Sequence, residues 1–199
     1  MTDETQEAIL ALQLTREQLS HLASSGSHHY WNWVIVGLHH ALQSFMVLAL
    51  SPNNYLNVLT EKDAKAELAG YQQGHRKYSE PKLDKFINLY KKIKSDRMKI
   101  YIDSKPFNPN HTQDRSVEKL NALRNDFIHF VPKSWAIEVN GLLQIAEDCI
   151  NIIAFLAFES GNVAWHDVDL KEQTQDLVRT IGYEIAKIKQ VYNGSTTNL

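Results

Sequence analysis

The stretch WVIVGLHHALQSFMVLAL, Trp33 to Leu50, decides the fold. It holds no proline, is apolar on most sides, and stops at Ser51-Pro52, where Asn53-Asn54 adds a turn signal. A bilayer span needs about 20 apolar residues, so length alone would admit one. His39, His40, Gln43 and Ser44 argue against it, since each would carry a polar group into hydrocarbon. The central helix of a helical bundle, covered on most sides, explains the same run, and it is expected from about His28 to Leu50.

Helical spacing continues on either side. Upstream, Ile9, Leu12, Arg16, Leu19 and Leu22 mark a helix over 5–24 that Ser24-Ser25-Gly26-Ser27 breaks. Downstream, Glu61 to Ala69 has high helix propensity and little apolar content, which predicts a short exposed helix ending at Gly70. Tyr71 to Glu80 reads as a connection, and Pro81 is expected to open a helix that buries Leu83, Phe86, Ile87, Tyr90 and Ile93. Tyr101 to Thr112, with Pro106 and Pro109, predicts an ordered loop leading into a helix capped by Asp114 or Ser116.

That helix carries Val117 to Leu123 and must end before Pro132, because the residue preceding a proline is pushed out of helical geometry. Trp135, Ile137 and Val139 alternate with Ala136, Glu138 and Asn140, which suits a short extended segment before a turn at Asn140-Gly141. Leu142 to Phe158 is apolar nearly all round and predicts a second core helix, ended by Gly161. Leu170, Thr174, Leu177, Ile181, Ile185 and Ile188 form one stripe of a last helix, and Asn193 to Leu199 is expected to fray. There is no internal repeat. The expected architecture is a single all-α domain over 1–199, an up-and-down helical bundle with a long ordered loop.

Composition narrows the function. A chain of 199 residues can bury on the order of 70% of its unfolded surface without disulfides. The single cysteine, Cys149, lies in an apolar run and reads as a buried, reduced thiol. Asp3, Glu4 and Glu7 stand where a secretory signal would want basic residues, so no export signal and a cytoplasmic location are expected. Net charge is −2, yet residues 75–133 hold 14 Lys/Arg against 7 Asp/Glu. Lys91, Lys92, Lys94, Arg97 and Lys99 cluster there, which favours a polyanion nearby; a solvated helix face accounts for them equally well.

The same basic third contains Arg124-Asn125-Asp126-Phe127-Ile128-His129, a fixed cation and a titratable imidazole five positions apart. Metal-free RNA cleavage uses the 2′-hydroxyl as nucleophile, so a protein must move protons and stabilise extra negative charge at phosphorus. Histidine, with a reference pKa of about 6.5, suits the first task. Arginine, a planar and permanently charged fork, suits the second. The expected roles are acid/base work for His129, phosphate binding for Arg124, and an orienting role for Asn125. A purely structural reading has Arg124 salt-bridging a neighbouring helix and His129 bonding a carbonyl at the helix end. Five helical steps rotate by about 140°, so the pair does not share a face; an unwound helix end or a two-fold axis would relieve this.

Arg124, Asn125 and His129, between Leu123 and Phe130 in a largely helical chain, resemble the hallmark Arg-x4-6-His of the HEPN superfamily (higher eukaryotes and prokaryotes nucleotide-binding domains). The resemblance implies a metal-independent endoribonuclease of the toxin or defence kind, acting as a homodimer in which both motifs line one cleft. It equally admits a non-catalytic helical module that binds a protein or nucleotide partner, including a regulatory one. RNA is the expected substrate, with Lys91, Lys92, Lys94, Arg97, Lys99, His111 and Tyr101 as substrate-binding candidates; Phe107 is a further stacking candidate.

Other chemistries lack their motifs. The nine histidines include the doublets His28-His29 and His39-His40 but no His-x3-His, HExxH or Glu-x-x-His, so no metal is expected. Of His39 and His40, one is expected to hydrogen-bond within the core and the other to lie at its edge. GxGxxG, GxxxxGK and GxSxG are all missing, and no cofactor is expected.

Overall fold

The computed structural model describes residues 4–74, 81–129 and 139–196. Among them there are seven α-helices and no strand, in keeping with the all-α reading. Helix α1 (Glu4–Ser25) and helix α2 (Tyr30–Leu50) form a hairpin closed by Gly26 at φ 65°. A Cβ at Gly37 would lie 2.6 Å from Thr15 Oγ1, so the absence of a side chain there lets α1 approach α2 closely. The inner residues of α2, from Trp31 through Leu38, Leu42 and Phe45 to Leu50, are sealed from solvent.

Helix α3 (Glu61–Gln73) buries none of its residues, as expected, but runs through Gly70 and ends at Gly74. Gly70 only weakens a helix by about 1 kcal/mol relative to alanine, whereas the C-cap demands the left-handed geometry that Gly74 adopts at φ 70°. Pro81 does not open a helix. The chain from Pro81 to Asp84 instead pairs with the segment before α3, through an antiparallel bridge between Leu59 and Leu83 and through Asp84 N–H to the Val58 carbonyl at 2.8 Å. Leu83 is therefore exposed rather than core, and helix α4 begins later, at Phe86–Ile93. Phe86, Leu89, Tyr90 and Ile93 form its buried face.

The loop before the motif helix is ordered. Phe107 N–H donates to the Ile93 carbonyl and Lys105 N–H to the Ser160 carbonyl, both at 2.9 Å. Asn162 Nδ2 donates at 2.9 Å to the carbonyls of Ala49 and Met98, stitching the end of α2 to this loop from a position 1% exposed. Helix α5 (His111–Ile128) starts earlier than its sequence suggests, because Asn110 is the N-cap. Asn110 Oδ1 accepts from Gln113 N–H at 2.9 Å, and Gln113 Oε1 accepts from Asn110 N–H at 2.9 Å, a reciprocal capping box. Asp114 and Ser116 are engaged elsewhere, with Lys94 and Asp148.

The extended segment expected around Trp135 and Ile137 lies outside the described residues. Asn140-Gly141 makes no turn: both belong to helix α6 (Val139–Ala154). An Asn-Gly pair makes a hairpin turn only between strands that pair, and here it falls in a helix's first turn instead. Helix α6 widens into a π-helical turn at Phe155–Glu159, and Gly161 at φ 76° follows. Helix α7 (Val168–Thr196) buries Thr174, Leu177, Ile181, Ile185 and Ile188 against α1 and α6. Two segments, Tyr30–Leu50 and Gly141–Glu159, are long and apolar enough to cross a membrane, and 61% of each is buried inside the bundle.

Candidate functional site at the C-terminal end of helix α5

The motif closes α5. His129 is its C-cap, with φ −86° and ψ 5°, and its backbone N–H donates to the Asn125 carbonyl at 3.1 Å. The imidazole is exposed. Arg124 is half-buried, and its Nη1 donates to Asn125 Oδ1 at 3.1 Å, which holds the guanidinium beside the exposed carboxamide. Asn125 and His129 stand one turn apart, on one side of the helix. Arg124 and His129 do not meet: among the described residues no hydrogen bond joins them, as the 140° rotation implies. The chain thus presents a cation and an imidazole from the same helix end in different directions.

Behind Arg124 lies a polar cluster inside the core. His39 of α2 is 5% exposed, stacks on Phe86 with ring centroids 3.9 Å apart, and through Nε2–H donates to Asn121 Oδ1 at 3.3 Å. Burial pushes its pKa down to about 4; the Asn121 bond opposes the shift, and the positive field of Arg124, with His40, adds to it. His39 is therefore a neutral donor at ordinary pH. It fixes Asn121, which lies one turn before Arg124 and Asn125 on α5. His40 is exposed, so the doublet divides into a core residue and an edge residue as expected. Asn121 is the site residue that sequence reading passed over; its only signal is its helical spacing from the motif.

The basic cluster does not join the motif. Lys94 Nζ bonds Asp114 at 2.8 Å near the start of α5, whereas Phe86, at the other end of α4, stacks on His39, the partner of Asn121 farther along α5. Helices α4 and α5 are thus antiparallel. Asp114 precedes His129 by 15 positions, about 22 Å along a helix axis. His111, exposed in the first turn of α5, is farther still. The cations are also largely engaged. Lys92 is buried against Asp84 at 2.6 Å, Lys99 pairs with Asp96 at 2.7 Å, and Arg97 approaches Glu61 at 3.8 Å. Lys91 is exposed. Tyr101 is 45% exposed, and its hydroxyl donates to Asn53. Phe107 is buried at 7% exposure against Tyr90 and Phe155, which removes it as a stacking platform.

Cys149 is fully buried, and burial raises its thiol pKa, so it is no nucleophile. Among the described residues, no group of three His, Cys, Asp or Glu side chains is placed to hold a metal ion. Compared with protein-family models, with curated proteins and with solved structures, the chain has no significant match.

Proposed function

We propose that the protein is a metal-independent endoribonuclease of HEPN type, with a composite site in which Arg124 of one subunit and His129 of its partner act on one RNA phosphate. The observation that carries this reading is the end of α5: an exposed imidazole at the C-cap and, five residues before it, a guanidinium steadied by Asn125. In the proposed reaction the 2′-oxygen attacks phosphorus while His129 takes its proton. The P–O5′ bond breaks, the 5′-oxygen leaves with a proton from water, the resulting hydroxide takes back the proton held by His129, and a 2′,3′-cyclic phosphate remains. Arg124 stabilises the negative charge that builds on the non-bridging oxygens.

The divergence of the two side chains within a protomer supports a second reading, a non-catalytic module that uses this helix end to bind a protein or nucleotide partner. Incubating the protein with mixed RNA in excess chelator separates the two. Nuclease function predicts cleavage to cyclic-phosphate ends that is lost in both Arg124→Ala and His129→Ala while folding and oligomeric state persist. Cleavage unchanged in these variants would come from a contaminant, and the catalytic reading would fail.

A further inference from the structure

A separate pocket of about 610 Å³ opens between the N-terminal end of α3 and the outer face of α4. Its volume is in the range of small-molecule sites, about 300–1,000 Å³. Its lining runs along α4 and its flanks, from Asp84 to Arg97, and leaves out Lys94, which pairs instead with Asp114 of α5.

Its wall is built rather than incidental. The Leu59–Leu83 bridge and the Thr60 N–H bond to the Lys82 carbonyl, 3.1 Å, lock the two extended segments together. Lys92 reaches this junction from α4 and places Nζ 2.6 Å from both Asp84 Oδ2 and the Leu59 carbonyl. An ammonium has three N–H donors. The third has no protein acceptor among the described residues, and Lys92 lines the pocket. Asp84 offers little in return, because its other oxygen accepts from Asn88 at 2.7 Å and from the Lys85 N–H at 2.9 Å. A buried ion pair is a poor source of stability, since desolvation offsets most of its attraction. It does hold a donor at a fixed point.

The remaining charge is lopsided. With Asp84 and Lys92 neutralising each other, Lys85, Lys91 and Arg97 face the pocket against Glu61 alone among the described residues. Glu61 is 74% exposed, and its 3.8 Å contact with Arg97 is loose. The surplus of two positive charges suits a ligand with at least two negative ones. Among the described residues no aromatic side chain lines the pocket to stack on a base, so recognition falls on the anion itself.

We propose that this pocket binds a compact polyphosphate, the diphosphate or triphosphate portion of a small molecule, through Lys85, Lys91, Lys92 and Arg97. The inference is independent of the nuclease reading. Calorimetric titration of the intact protein with inorganic pyrophosphate at low salt tests it. Lys91→Ala/Arg97→Ala, changing two exposed positions, is expected to weaken binding at least tenfold. Lys62→Ala/Lys65→Ala removes the same charge from α3 outside the pocket and is expected to change binding less than twofold. Three results would each overturn the proposal: no binding by the unaltered protein at millimolar pyrophosphate, equal weakening by both double variants, or RNA binding through Lys91 and Arg97 that pyrophosphate does not displace.

Discussion

Lowering the pH from 7 to 5 should weaken the fold through His39, and replacing this residue should remove most of that effect. In the unfolded chain the imidazole titrates at the ordinary value of 6.5; in the folded core it does so at about 4. Between these values the unfolded state takes up the proton more readily. The stability tied to a neutral His39 is therefore whole above pH 6.5 and falls as the solution is acidified toward pH 4. At about 1.4 kcal/mol per pH unit, the full difference is about 3 kcal/mol, and the part lost between pH 7 and pH 5 is about 2 kcal/mol.

His39→Gln keeps an N–H donor for Asn121 but cannot titrate. Urea unfolding of both proteins at pH 7 and pH 5 gives the comparison, since acid effects of other residues are common to both and cancel. The protein should lose about 2 kcal/mol more than the variant over this interval. Arg124→Ala should shrink the loss, because the guanidinium is one of the charges that disfavour a protonated His39. Equal losses in the protein and in His39→Gln would refute the reasoning and mean that water or a rearranged partner solvates the imidazolium.

Two further predictions concern the packing that positions the site. Gly37→Ala places a methyl 2.6 Å from Thr15 Oγ1 and should lower stability by about 1–2 kcal/mol in spite of alanine's better helix propensity; in a Thr15→Ala background, thermal melts should show at least half of that loss removed. Asn110→Ala breaks the capping box of α5 and should destabilise by about 1 kcal/mol, with hydrogen exchange accelerating first at the amides of Thr112 and Gln113 that Asn110 now binds.

The fold was legible wherever apolar spacing alone determined burial. Leu177, Ile181, Ile185 and Ile188 lie inward on α7 as their period requires, and Trp33 to Leu50 forms the central helix. Boundaries were less legible because they depend on side-chain partners that spacing does not reveal. Asn110 caps α5 because Gln113 returns its hydrogen bond, and Pro81 starts no helix because residues 82–84 pair with 58–60. At the candidate site, the placement of His129 at a helix terminus was readable from Pro132. The separation of the lysine cluster from the motif was not, because it follows from the loop that bonds Phe107 to Ile93 and sends α5 back antiparallel to α4. His39 was readable as polar within a core helix; its partner Asn121 required three dimensions.

The composite site is tested most directly by a heterodimer, purified through two different tags, with Arg124→Ala in one subunit and His129→Ala in the other. If each site takes its arginine from one subunit and its histidine from the partner, this species keeps one intact site of two. The proposal predicts about half the RNA cleavage of the unaltered dimer in excess chelator, from two variants that are each inactive alone. No cleavage by the heterodimer, or no dimer to purify, would contradict it.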